Sequence, residues 1–174
     1  MNTLPLTRGR VAAFYAAVVG AGLVVASSAD VWPLRVVYNA SASVPIGWYG
    51  VAEAEPVTVG DLVIARPPIR AETLLTERGY LAAGVPILKF IAARAGQRVC
   101  RTGEAVTIDD RKVATARDRD GAGRALPRWN GCRVLGPGEV FLLNTAAPDS
   151  FDGRYFGPAS VNSIIGKATP LWTW

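Results

Sequence analysis

No charged residue interrupts the chain from Val11 to Ala29. As a helix these 19 residues would cover about 28 Å, close to the hydrocarbon thickness of a bilayer. Arg8 and Arg10 precede the run and Asp30 follows it. Basic residues stay on the cytoplasmic side, so the rest of the chain is expected to face outward, with Trp32 at interface depth. A cleaved signal peptide is the alternative, because Ser27-Ser28-Ala29 offers small residues of the right kind. The apolar run is longer than a usual signal-peptide core, which favours a retained transmembrane helix. Residues 1–30 are therefore expected to form a membrane anchor and residues 31–174 an exported domain.

Half of the residues are hydrophobic, enough for a packed core and against disorder. The net charge of +5 does not point to nucleic acid. The arginines are spread from Arg8 to Arg154, with no dense basic stripe and no interleaved stacking aromatics. The two cysteines, Cys100 and Cys132, suggest a disulfide in an exported chain. Two unpaired buried thiols are the alternative. Without histidine they do not make a zinc site, and no metal or cofactor is expected.

After residue 31, short β-type runs alternate with turn signals. "WYGV" and "GDLVIA" (60–65) read as strands, the latter stopped by Pro67-Pro68. Residues 71–83 carry the one short helix pattern, weakened by Gly79 and ended by Gly84 and Pro86. "VPILKFIAARAG" (85–96) alternates as a strand. Residues 97–116 read as two short strands with a turn at Asp109-Asp110. Residues 117–131 are a polar surface excursion tied back by Cys132. "GEVFLLN" (138–144) reads as a central strand, and "NSIIGKATPLW" as a closing strand ended by Pro170. The fold class is mostly β, with coiled antiparallel sheets.

The chain has no histidine, so a Ser-His-Asp triad is impossible. A lysine can serve a serine nucleophile instead, but only as the neutral amine, so it must be desolvated. Lys112 sits in a polar turn and Lys167 in a partly apolar run. Lys89, between Ile87 and Ile91, is the first choice, with snorkelling to water as the alternative. Ser41 and Ser43 stand two apart, so in extended chain they point the same way. One hydroxyl could attack while the other helps a backbone N–H hold the oxyanion. A plain exposed serine loop is the other reading. In "PDSFDGRYFGPAS" (148–160), Asp149, Asp152 and Arg154 offer a carboxylate pair or an Asp–Arg clamp, and the clamp is preferred.

Three segments then resemble the type I signal peptidase family, and most of all its conjugative-transfer branch, the TraF-type proteases that mature pilins. "SVPIGWY" is similar to the Ser-x-Pro-x-Gly-x-Tyr nucleophile box, "ILKFIAARAG" to the lysine box, and "SFDGRYFGP" to the third box. The resemblance implies Ser43 as nucleophile, Lys89 as general base, and the Ser41 hydroxyl with the Ser43 N–H as oxyanion hole. It implies that Ser150 orients the lysine amine while Asp152 and Arg154 brace the site. It also implies a signal-peptidase-like fold, a pilin or secreted precursor as substrate, and a catalytic domain on the periplasmic side of a bacterial inner membrane. The sequence departs from the pattern at Phe90, at Gly153 and at Leu143-Asn144-Thr145, where the family has Gly-Asp-Asn. A non-catalytic assembly factor of a conjugation or secretion complex and a general signal peptidase are the alternatives.

Overall fold

The computed structural model describes residues 8–28, with the side chains of 11–24, and residues 35–174. The chain divides into two compact units, Met1–Leu34 and Arg35–Trp174. In the first, helix α1 spans Arg8–Ser28. Its described side chains, among them Phe14, Tyr15, Val18 and Leu23, are exposed. Among the described residues no helix is long and apolar enough to cross a membrane. The uncharged run is helical as far as Ser28, as α1, but the expected transmembrane helix is not shown. Ala29, Asp30 and Trp32, which the sequence places at the outer end of the span, lie outside the described residues.

The second unit is built on antiparallel sheets, as the strand patterns predict. Its strands are β1 (Val36–Asn39), β2 (Gly47–Ala52), β3 (Leu62–Ala65), β4 (Ile87–Arg94), β5 (Arg98–Thr102), β6 (Ala105–Ile108), β7 (Arg111–Thr115), β8 (Gly131–Val134), β9 (Glu139–Leu142), β10 (Ala159–Ser160) and β11 (Ile164–Thr173). One sheet runs β1-β2-β11-β3-β4-β9-β10 and the other β7-β6-β5-β8. Strand β4 lies inside the larger sheet, between β3 and β9. Its residues Ile87, Leu88, Lys89 and Ile91 are all buried. Ile64 and Leu88 pack with Val44 and Tyr49, while Val63 and Ile91 pack with Val140 and Leu142. Ala93, Phe141 and Leu143 join Val99, Val106 and Ile108 of the smaller sheet in a third cluster.

Four local expectations are corrected. Helix α2 spans Ile69–Glu77 and stops before Gly79, not at Gly84. Gly79 takes φ +68°, and the Gly79 and Tyr80 N–H groups bond back to the Thr76 and Leu75 carbonyls. That is a Schellman closure, in which glycine carries the left-handed residue. Residues 97–116 form three strands, because Thr102 pairs with Ala105 across a tight turn in which Gly103 adopts φ +61°. The Asp109-Asp110 turn is present as expected, both residues at positive φ. Strand β11 continues past Pro170 to Thr173. Beyond Lys167 it no longer pairs with β3, and its register with β2 shifts between Pro170 and Trp172. Proline is tolerated at such an edge and bulge. Finally, a one-turn helix α3, Gly153–Phe156, stands where Gly153 and Gly157 suggest only tight turns, with the Asp152 carboxylate accepting from the Arg154 N–H as its cap.

Cys100 and Cys132 face each other across β5 and β8 and are disulfide-bonded. The 117–131 excursion is held by a second tie as well. Asp120 accepts hydrogen bonds from Tyr80, Arg78 and Arg124. The Tyr80 hydroxyl, more than any other group, holds its carboxyl well below the usual range. The disulfide closes a loop with a sequence separation of 32, so in the chain-entropy picture Cys100→Ser with Cys132→Ser should lower stability by about 3–4 kcal/mol. Urea unfolding followed by tryptophan fluorescence measures this.

Candidate active site

Lys89 reaches the interior because it shares a buried face of β4 with Ile87 and Ile91, whereas Phe90 on the other face is exposed. It pairs with Val63 of β3, and only 4% of it is exposed. The snorkelling alternative is therefore not what forms. Its Nζ donates to Ser150 Oγ at 2.9 Å. Burial pushes the Lys89 pKa down to about 8; Asp152 pulls it back up in part, and Arg154 adds to the depression. The other two lysines differ. Lys112 is exposed, and Lys167 is ion-paired to Asp61 at 2.9 Å.

The serine loop, residues 39–46, leaves β1 and enters β2. Asn39, buried at the end of β1, folds it: Nδ2 donates to the carbonyls of Ser41, Val44 and Pro45 at 2.7, 3.1 and 3.1 Å. The Ser41 N–H and hydroxyl both donate to Asn39 Oδ1. Tyr49 OH donates to the Pro45 carbonyl at 2.6 Å. Strand alternation splits the aromatic pair, burying Tyr49 and leaving Trp48 exposed. Gly47 has no substitute: its φ is +144°, and a Cβ there would lie 2.1 Å from the Trp172 carbonyl oxygen.

Ser41 Oγ and Ser43 Oγ are 3.0 Å apart. Since the Ser41 proton is committed to Asn39 Oδ1, the Ser43 hydroxyl is the donor between them. Among the described residues Nζ makes no hydrogen bond to Ser43. Both groups instead line one cleft of about 660 Å³, together with Ser41, Ser150, Ile87 and Leu75.

The third segment braces this cleft. Asp152 and Arg154 are 0% and 1% exposed, and Arg154 donates to Asp152 through Nε at 2.9 Å and Nη2 at 2.8 Å. Burial pulls the guanidinium pKa down, but its bond and attraction to Asp152 outweigh this and leave it raised. Arg154 also donates to the carbonyls of Asn144, Ala147 and Pro148, which curls residues 144–150 and sets Ser150 against Lys89. The expected Asp–Arg clamp is thus Asp152 with Arg154, whereas Asp149 pairs with exposed Arg117 at the surface. Gly153 is forced by contact: a Cβ would lie 2.7 Å from the Leu142 carbonyl oxygen and 2.8 Å from the Phe141 ring.

Sequence reasoning gave Asn39 no role and named Asn144 only within a departure from the family pattern. Both are buried amides, and their only local signal is a polar residue at the end of a strand run, "VVYN" and "VFLLN". Among the described residues no three His, Cys, Asp or Glu side chains are grouped to hold a metal ion.

This fold of coiled antiparallel sheets is signal-peptidase-like. The chain belongs to the family described as "Signal peptidase, peptidase S26", which matches residues 8–174. It is 33% identical over 165 residues to the plasmid transfer protein TraF of Escherichia coli, covering 89% of this chain and 92% of that one. It is 38% identical over 148 residues to the conjugal transfer protein TraF of Agrobacterium fabrum (strain C58 / ATCC 33970), covering 78% and 81%. A crystal structure of a signal peptidase I from Enterococcus faecalis V583 aligns over 66% of this chain and 98% of that one, at 16% identity and a TM-score of 0.38.

Gly153→Ser would drive its Cβ into both the Leu142 carbonyl oxygen and the buried Phe141 ring. It should displace α3 and lower the thermal midpoint by several degrees, as expected for a loss of about 1–3 kcal/mol by overpacking. Differential scanning calorimetry measures the change.

Proposed function

We propose that this protein is a serine endopeptidase with a Ser/Lys dyad. Ser43 is the nucleophile, Lys89 the general base, and Ser41 with the Ser43 N–H forms the oxyanion hole. The observation that carries the reading is the buried Lys89 amine, lowered to about 8 and opening on the same cleft as Ser43. At neutral pH about a tenth of such amines are uncharged, a working concentration of base. Catalytic hydrogen bonds are often incomplete before substrate binds. The Ser43 hydroxyl has to turn from Ser41 toward Nζ, and the Ser41 hydroxyl from Asn39 toward the developing oxyanion. Neutral Lys89 then accepts the Ser43 proton as Oγ adds to the scissile carbonyl. The same ammonium returns the proton to the departing amine, leaving an acyl-enzyme that water or a second amine resolves. Ser150 holds the amine in place throughout.

The substrate we infer is an exported precursor, a conjugative pilin subunit above all, because the relatives that cover most of this chain are plasmid and conjugal transfer proteins. Residues 1–30 serve as an inner-membrane anchor with residues 31–174 in the periplasm. The uncharged run over Val11–Ala29 and the exposed apolar side chains of α1 support this. So does a surface of exposed aromatics on the second unit. Tyr38 lies beside Trp48 and Trp174, with ring centroids 5.0 and 6.3 Å apart, and Trp172 beside Trp174 at 6.3 Å. Indole and phenol rings settle at the bilayer interface.

Ser43→Ala and Lys89→Met should each abolish precursor processing while the protein still folds, read by mass spectrometry of a co-expressed precursor. Normal processing or normal plasmid transfer by either variant rules the reading out. For the wild-type chain, kcat/KM should rise with pH and level off above a midpoint near 8. The sign follows from the base working as the neutral amine, which deprotonation supplies. A rate that falls through that range excludes Lys89 as base.

A further inference from the structure

We propose that Asn144 is the positioning residue that sets the distance between Ser43 and Lys89. The inference rests on the Ser/Lys reading above. Asn144 is 1% exposed and stands just past the end of β9. Its Nδ2 donates to the Ser43 carbonyl at 2.9 Å and to the Leu88 carbonyl at 3.2 Å. Its Oδ1 accepts the Phe90 N–H at 3.1 Å. One amide thus holds the serine's own carbonyl and both main-chain neighbours of the lysine. Its main chain is held in turn: the N–H donates to Asp152 Oδ2 at 3.1 Å, and the carbonyl accepts from Arg154 Nη2 at 2.8 Å.

The chemistry demands this side chain. Two carbonyls and one N–H converge on it, so two donors and one acceptor are needed within the reach of a short side chain. Asparagine has that inventory. Aspartate would set an oxygen against two carbonyl oxygens, and leucine would leave three buried main-chain groups unpaired. Ser43 and Asn144 are 101 positions apart in the chain, so no local turn fixes the serine loop against β4. A displacement of about 1 Å between reacting groups can cost about 100-fold in rate.

The test replaces Ser43 with cysteine, whose ionisation reports whether the Lys89 ammonium lies close by, independently of peptidase turnover. The pH profile of iodoacetamide alkylation is measured on the full chain for Ser43→Cys. It is repeated with Lys89→Met added, and with Asn144→Ala added. The Ser43→Cys thiol should ionise below the ordinary value of about 8.5, and Lys89→Met should remove that depression. Asn144→Ala should remove it as well, with Lys89 still present, and in the Ser43 background should lower kcat about 100-fold with KM within about threefold. Where the alanine chain does not fold by near-UV circular dichroism, Asn144→Ser, whose hydroxyl still satisfies one of the three groups, supplies the reading. A Lys89-dependent depression that persists in a folded Asn144 variant overturns the role of Asn144 and leaves the dyad standing. The absence of any Lys89-dependent depression in Ser43→Cys overturns both.

Discussion

Removing a lysine amine from water is the constraint around which the second unit is arranged. A buried ammonium is expensive, and the usual outcome is a lowered pKa rather than a bare charge. Here β4 sets Lys89 on the same buried face as Ile87 and Ile91, while Phe90 on its other face stays exposed. The surroundings compensate only in part. Ser150 supplies one hydrogen bond, and the Asp152 carboxylate favours the charged form but is itself neutralised by Arg154. The amine is therefore left between the two protonation states near neutrality, which a base needs and a purely structural lysine does not.

Holding such an amine to a serine requires long-range closure. The serine loop, the lysine strand and the 144–154 segment are far apart in the chain, and each is secured by side-chain to main-chain hydrogen bonds. Asn39 and Tyr49 shape the serine loop, Arg154 shapes the loop that carries Ser150, and Asn144 joins all three segments. These groups are buried and paired, so the arrangement is stiff, since losing one partner exposes the full desolvation cost of the other. The disulfide and the Asp120 tie stabilise the smaller sheet and the excursion beside it and, among the described residues, make no direct bond to Ser43 or Lys89.

Much of the local structure was legible. The runs at 60–65, 85–96 and 138–144 contain β3, β4 and β9, because period-two patterning and flanking prolines and glycines act over a few residues. The Asp109-Asp110 turn was legible for the same kind of reason, and the Cys100–Cys132 pairing from an even cysteine count in a chain read as exported. The third strand of the small sheet was not separated, since Gly103 sits in a short polar turn that interrupts no apolar run. Pro170 misled because a proline stops a strand only where its missing N–H is needed, and that depends on which neighbours the strand has. Helix α3 is a single turn held by Asp152 and Arg154, too short for periodicity to register.

By itself the sequence determined the available chemistry. Without histidine, a serine nucleophile has to rely on a lysine, and the environments of three lysines rank Lys89 first. It also determined that residues 11–29 are uncharged and that the rest is mostly β. Only the tertiary structure decided that Lys89 is buried, that the Ser41 proton is committed to Asn39, and that Asn144 gathers three segments onto one amide. Desolvation and hydrogen-bond partnership are set by whatever packs across the sheet, and those neighbours lie up to a hundred residues away in the chain.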